Sequence, residues 1–147
     1  MTVRLAVAFV VEVTIENATN ALLERVPAFA EARAKDDSFI SHEDDSAYLC
    51  FGDLDRYLAE LLSRNSSTSS ETETIDQIFQ LVNEMGNSSD PAVVNIVATT
   101  IFEGLAGMPE GIAAARSRLT GRAADEFERA TYWLAPNSSA TIRRKQA

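Results

Sequence analysis

The sequence predicts an all-α protein: a single compact bundle of about six helices packed as antiparallel pairs, somewhat like short HEAT-type repeats. Apolar residues recur at three- and four-residue steps in several segments, most clearly between residues 48 and 62. No segment alternates apolar and polar residues for long enough to form a sheet. At 147 residues the chain has the size of one domain. We assign residues 1–136 to that domain and 137–147 to a basic, frayed tail.

The N-terminal third predicts two helices. The first covers about residues 3–24, and the asparagines between residues 17 and 20 are where we expect any break. Its apolar run, residues 5–11, is far shorter than the roughly 20 residues that span a bilayer. We therefore take this run as part of the mature fold, and its β-branched residues leave helix and strand open. A short helix from Pro27 to about residue 35 follows, and then a polar loop over 36–46.

The middle of the chain predicts two amphipathic helices. One covers residues 48–62, and its lone Cys50 lies among apolar neighbours, as a core thiol does. The serine-rich residues 65–70 are typical of a flexible loop. The second helix covers about residues 74–85 and ends at Gly86. Its inward-facing residues are predicted to be Ile75, Ile78, Phe79 and Val82.

The most informative stretch predicts a central helix over residues 91–106. Asp90 is a typical N-cap, and Pro91 suits the first helical position. Gly107 and Pro109 form a stop signal. Most side chains between these points are apolar, so we expect other helices to surround this one. Its polar residues form one line at four-residue steps: Asn95, Thr99 and Glu103.

Two further helices are expected at about residues 110–119 and 122–134, separated by Thr120-Gly121. The second helix places apolar side chains on one face, which we predict faces the core. Pro136 should end this helix. The residues of that face are Phe127, Ala130, Trp133 and Leu134.

Charge is distributed unevenly along the chain. Its formal net charge is −9, and residues 1–110 hold 19 acidic against 6 basic residues. Such an acidic body disfavours nucleic acid, which requires clustered cations. It suits a basic protein partner, because complementary charge speeds encounter. Solubility is the alternative reason for this charge. No secretory signal or spanning segment is evident, so we expect a cytoplasmic protein with no membrane partner.

The candidate partner surface is acidic. It combines the 36–45 loop with carboxylates of the following helix: Glu43, Asp44, Asp45, Asp53, Asp55 and Glu60. Arg56 lies three residues after Asp53 and four before Glu60, which is the spacing of an ordinary surface ion-pair ladder. His42, the only histidine, lies beside three carboxylates, but adjacent loop residues rarely converge on one ion. We therefore expect no metal, no cofactor and no catalytic residue.

The line of Asn95, Thr99 and Glu103 is the alternative site. It either forms a structural hydrogen-bond hook onto a neighbouring helix or lines a groove for a partner or a small ligand. A cleft reaching Glu103 would favour a ligand-binding or regulatory domain.

Several stretches resemble an uncharacterised bacterial all-helical family. They are YLCFGDLDRYL at 48–58, IFQLVNEM at 78–85, DPAVVNI at 90–96 and IFEGL at 101–105. The resemblance covers roughly residues 20–134, and the apolar run at 5–11 departs from it. Some proteins that resemble the family are suspected immunity proteins, which bind and neutralise a toxin delivered by neighbouring cells. The resemblance implies a compact helical module that acts by binding, with no catalytic residues to carry over.

Overall fold

The computed structural model describes residues 11–35, 46–64 and 68–146, with backbone alone for 134–146. Throughout these ranges the regular structure is helical, with no strand, as the sequence predicts. The helices are α1 (Ala18–Arg25), α2 (Pro27–Lys35), α3 (Ala47–Ser63), α4 (Ser69–Gly86), α6 (Pro109–Arg118) and α7 (Gly121–Gln146). Between α4 and α6 lies α5, which comprises Pro91–Val97, a π turn at Ala98–Phe102, and Glu103–Ala106.

Residues 11–17 differ from the predicted helix over 3–24. Residues 11–14 are irregular, a turn occupies 15–17, and α1 begins only at Ala18. Thr14 and Asn17 explain the delay, because each side-chain oxygen accepts the backbone N–H of the other residue, at 3.2 and 2.7 Å. These local bonds compete with helix hydrogen bonds. Most of the apolar run at 5–11 lies outside the described residues.

The helix starting at Pro27 ends at Lys35, as predicted. Helix α3 also agrees with its prediction, and Cys50 is fully buried in the core. Helix α4 begins five residues earlier than expected, at Ser69. The Thr68 hydroxyl accepts the backbone N–H of Glu71 at 3.2 Å, which is an N-cap that the serine-rich composition obscured.

Helix α5 is a core helix with one exposed stripe. Its buried side chains are Val93, Val94, Ile96, Val97, Ile101, Phe102, Leu105 and Ala106. The opposite line, Asn95, Thr99 and Glu103, is exposed. The helix is therefore enclosed on its apolar sides only, and its polar line is not a buried network.

Two asparagines at the end of α4 hold the link between α6 and α7. The side chain of Asn83 accepts the N–H of Thr120 at 2.9 Å, and that of Asn87 accepts the N–H of Arg122 at 2.8 Å. Gly121 has a φ of 57°, a conformation in which glycine carries no steric penalty.

Helix α7 differs from prediction in two respects. It continues past Pro136 to Gln146. Proline removes one helix hydrogen bond and crowds one carbonyl, which kinks or breaks a helix; here the helix continues. Trp133, predicted to face the core, is 56% exposed.

Contacts within the described residues define the arrangement around α5. Tyr48 contacts Asn95, and Asp55 lies against Gly104, so α3 and α5 run in the same direction. On the other side of α5, Phe102 and Phe127 stack edge to face with centroids 6.3 Å apart. Helix α5 therefore packs between α3 and α7. None of the helices in the described ranges has the length and apolar character needed to cross a membrane.

Candidate functional site

The π turn in α5 follows from two consecutive threonines. Thr99 Oγ1 donates to the carbonyl of Asn95 at 2.8 Å, and Thr100 Oγ1 donates to that of Ile96 at 2.6 Å. Such side-chain bonds back to the preceding turn compete for helix carbonyls and bend helices. A π turn widens the helix at this point, and π turns occur often at functional sites. The Thr-Thr pair is the sequence signal for it.

A groove lies between this π turn and α7. Its volume is about 260 Å³, and it is lined by Ala98, Glu103, Glu126, Arg129, Ala130 and Trp133. Two of the lining side chains are small and apolar, three are charged and one is aromatic. We call this the α5–α7 groove. It is the only candidate that joins a helix irregularity, an exposed aromatic ring and charged groups within the described residues.

The charges of the α5–α7 groove do not balance. Arg129 Nη1 lies 3.2 Å from Glu126 Oε1, an i,i+3 ion pair in which Glu126 is mostly buried and Arg129 is exposed. Glu103 is exposed, and among the described side chains no cation lies within ion-pair distance of it. The described lining residues therefore carry one excess negative charge, beside the ring of Trp133.

The predicted polar line of α5 is divided by the structure. Asn95 Nδ2 donates to Tyr48 Oη at 2.7 Å, so Asn95 forms a hydrogen-bond hook onto the start of α3. Thr99 bonds to its own helix. Of the three residues, only Glu103 lines the α5–α7 groove.

Asp53 is not part of a surface ladder, which corrects the expectation for this residue. Its side chain is 1% exposed, with Arg56 Nη2 at 2.9 Å from Oδ1 and Arg33 Nε at 3.4 Å from Oδ2. Spacing along one helix could reveal Arg56 but not Arg33, which comes from α2. A buried carboxylate held by two guanidinium groups cannot contact a partner, so Asp53 does not belong to the candidate partner surface.

Asp55 is half-buried against Gly104 of α5, where a β-carbon would collide with its carboxylate. This contact explains why a glycine occupies position 104. Burial withdraws water from the carboxylate and raises the pKa of Asp55 from 3.8 to about 6. Glu60 is exposed, with Arg64 Nη2 at 3.9 Å from its carboxylate.

The remaining predicted residues, His42, Glu43, Asp44 and Asp45, lie outside the described residues. Within the described ranges, no group of three or more His, Cys, Asp or Glu side chains is placed to hold a metal ion.

A wider depression of about 680 Å³ lies where residues 11–25 meet α4. Its opposite charges, Arg25 and Glu84, pair with each other at 2.9 Å. It contains no exposed aromatic ring and no helix irregularity, so it is a weaker candidate than the α5–α7 groove.

Sequence reasoning missed Trp133 as a site residue because its spacing from Phe127 and Ala130 suggested a core face. The structure buries positions 123, 127 and 131 of α7 and leaves the flanking positions 129, 132 and 133 exposed. The acidic and basic neighbours of Trp133, Glu126 and Arg129, were the available signal for this boundary.

These features define an all-helical domain with a charged surface groove beside a π turn. The chain belongs to the family described as Domain of unknown function (DUF7674), which matches residues 19–138. This range is close to the 20–134 covered by the resemblance noted above. No curated protein and no solved structure matches the chain.

Proposed function

We propose that this protein is a non-catalytic protein-binding module: a bacterial immunity protein that works in the cytoplasm and neutralises a toxin by docking on it. The partner is a basic protein, and neither nucleic acid nor a membrane is involved. The observation that carries the proposal is an exposed tryptophan beside a glutamate, Glu103, that forms no ion pair among the described side chains, on a chain of net charge −9. Tryptophan is enriched among the residues that dominate binding energy at protein interfaces.

The structural roles of two groups among the described residues, a thiol and a carboxylate, support binding rather than catalysis. Cys50 is fully buried in the core, and the Asp53 carboxylate is held by Arg33 and Arg56. Each of these groups has a structural role, which leaves the surface to carry the function.

Exposed carboxylates on several helices support an electrostatic mode of docking. Glu60, Glu73 and Glu103 are exposed on α3, α4 and α5 respectively. The proposed contact surface includes Glu60, the half-buried Asp55 and the acidic residues Glu43, Asp44 and Asp45. Complementary charge steers the encounter, and the bound module then blocks the toxin's working surface sterically.

The test is purification of the tagged full chain from its native host at low and at high salt. We expect one basic protein to be retained at low salt and released at high salt, because salt screens exposed charges. The purified partner should be toxic to cells that lack this chain and harmless when both are expressed. Absence of a partner at low salt, or a partner whose toxicity is unchanged, would overturn the proposal.

We also propose that consecutive helices pack as short antiparallel pairs, as in HEAT-type repeats. Contacts between α4 and α5, and between α5 and α6, support this arrangement, since short connections join both pairs. A crystal structure in which these helices cross at near right angles would contradict it.

A second candidate function is a ligand-binding or regulatory domain. The groove that reaches Glu103 favours it, but Asn95 and Thr99 do not line that groove. Its 260 Å³ is also below the roughly 300–1,000 Å³ of typical small-molecule sites. A small metabolite of the host that saturably raises the melting temperature of the purified chain, and loses this effect in Glu103→Gln, would favour this candidate.

A further inference from the structure

We infer that the α5–α7 groove accepts an arginine side chain of the partner, which stacks on Trp133 and pairs with Glu103. This inference rests on the proposed function, because it supplies the anchor by which a basic partner would be recognised. The inference concerns one side chain of the partner, so it can be wrong while the proposed function is right.

The dimensions of the groove favour one side chain over a larger ligand. The groove between the two helices has a volume of about 260 Å³, and Ala98 and Ala130 are among its lining residues. These small residues leave room for an aliphatic stem to lie against the helices. The polar end of that stem can then meet Glu103 and Trp133, which line the same groove.

The chemistry of the lining residues favours a cation. A guanidinium is planar, stacks on aromatic rings and donates to carboxylates in a fixed geometry. Trp is the best aromatic partner for a cation. Arg129 already pairs with Glu126 at 3.2 Å, so the groove holds one guanidinium–carboxylate pair and offers Glu103 for a second.

The charge of the whole chain agrees with this occupant. The groove has an excess of one negative charge, and the chain has a net charge of −9, so a basic partner is drawn to it from a distance. An anionic or neutral side chain would leave the charge of Glu103 unpaired at the interface.

Trp133 is the only tryptophan in the chain, so its fluorescence reports on this groove alone. The experiment titrates the full chain with the blocked tripeptide Gly-Arg-Gly and, separately, with the same peptide containing citrulline in place of arginine. Citrulline has nearly the same shape without the charge. We expect saturable quenching by the arginine peptide and at least about tenfold weaker binding of the citrulline peptide, a difference of about 1.4 kcal/mol.

Matched variants distinguish binding in the α5–α7 groove from attraction by the net charge of the chain. Glu103→Gln should weaken the affinity for the arginine peptide about tenfold. Glu110→Gln removes an equal charge from an exposed residue that does not line the groove, and it should change that affinity by no more than about twofold. In the partner capture, Trp133→Ala should reduce retention at least about tenfold. Tyr132→Ala is the comparison: Tyr132 does not line the groove, but its ring packs edge to face on Trp133 with centroids 5.5 Å apart, so it should reduce retention less than Trp133→Ala.

Equal binding of the two peptides, or equal loss in Glu103→Gln and Glu110→Gln, would overturn the inference. So would a dimer of the chain alone that Glu103→Gln abolishes, because the groove would then receive a second copy. If Trp133→Ala leaves capture unchanged while the basic partner still binds, the groove inference fails and the proposed function stands.

Discussion

The carboxylate of Asp53 lies between two guanidinium groups from different helices, and this arrangement makes it a structural residue. Arg33 is only 6% exposed, and its Nη2 has no hydrogen-bond partner in the described structure. Its charge therefore depends on Asp53. Removing one member of a buried pair leaves the other charge uncompensated, which costs more than the pair itself contributes.

We expect Asp53→Asn to lower the free energy of unfolding by about 3–5 kcal/mol. Urea denaturation followed by circular dichroism would measure it. Glu60→Gln is the matched control and should change stability by less than about 0.5 kcal/mol, because Glu60 is exposed and its ion pair is long. Adding Arg33→Met to Asp53→Asn should restore part of the loss; no recovery would show that the Arg33 charge is not the cause.

Because of Asp55, we expect the free energy of unfolding to depend on pH with a sign opposite to that for a salt-bridged carboxylate. Its pKa is raised to about 6 in the folded chain by burial, against about 3.9 for an unfolded aspartate. Between these two values the folded chain retains a proton that the unfolded chain has released. The contribution of Asp55 to stability therefore falls as pH rises from about 4 to 6, and it stays low above that range.

Asp55→Asn should accordingly stabilise the protein at pH 8 and have little effect at pH 4. We expect a gain of about 1–3 kcal/mol at pH 8, reduced from the full shift because the side chain is partly exposed. Urea midpoints of the two proteins across this pH range would measure the difference. A difference that does not change with pH would contradict the raised pKa.

Among the helices, those with strong local signals are the ones that the sequence predicts well. Val26-Pro27 marks the start of α2, and Asp90-Pro91 marks that of α5, where the Asp90 side chain accepts the N–H of Ala92 at 3.0 Å. The periodicity of residues 48–62 places α3 correctly because its apolar face packs on a core.

The features that were not predicted arise where residues distant in sequence meet. The Arg33–Asp53 pair joins α2 to α3, and the exposure of Trp133 depends on where α5 ends its contact with α7. Two other features that were not predicted do have local sequence signals, which the composition of these segments obscured. These are the Thr-x-x-Glu cap at residues 68–71 and the back-bonding threonines 99 and 100.

The cap at Thr68 gives a test of an element boundary. Thr68→Ala removes the side-chain acceptor of the Glu71 N–H and should lower the free energy of unfolding by about 1 kcal/mol. Thr72→Ala, one turn further along the exposed side of α4, should be neutral or slightly stabilising, since alanine is the better helix former. Urea denaturation measures both. Equal effects would show that Thr68 acts by helix propensity and not as a cap.

Over the whole molecule, the dominant electrostatic quantity is the net charge of −9. The described ion pairs act over short distances, and most are exposed, so each contributes little. The excess negative charge acts over longer distances and destabilises the compact state through self-repulsion. The same charge that draws a basic partner is therefore expected to cost stability when the partner is absent.

We expect the melting temperature to rise with added NaCl, because salt shortens the Debye length from about 30 Å at 0.01 M to about 8 Å at 0.15 M. A gain of about 1 kcal/mol corresponds to roughly 2–4 °C for a chain of this size. Calorimetry would measure the change. The triple variant Glu73→Gln, Glu103→Gln and Glu110→Gln removes three exposed charges that form no described ion pair. It should melt higher than the parent chain at low salt and respond less to NaCl. A parent chain that is destabilised by salt would show that its ion pairs outweigh its self-repulsion.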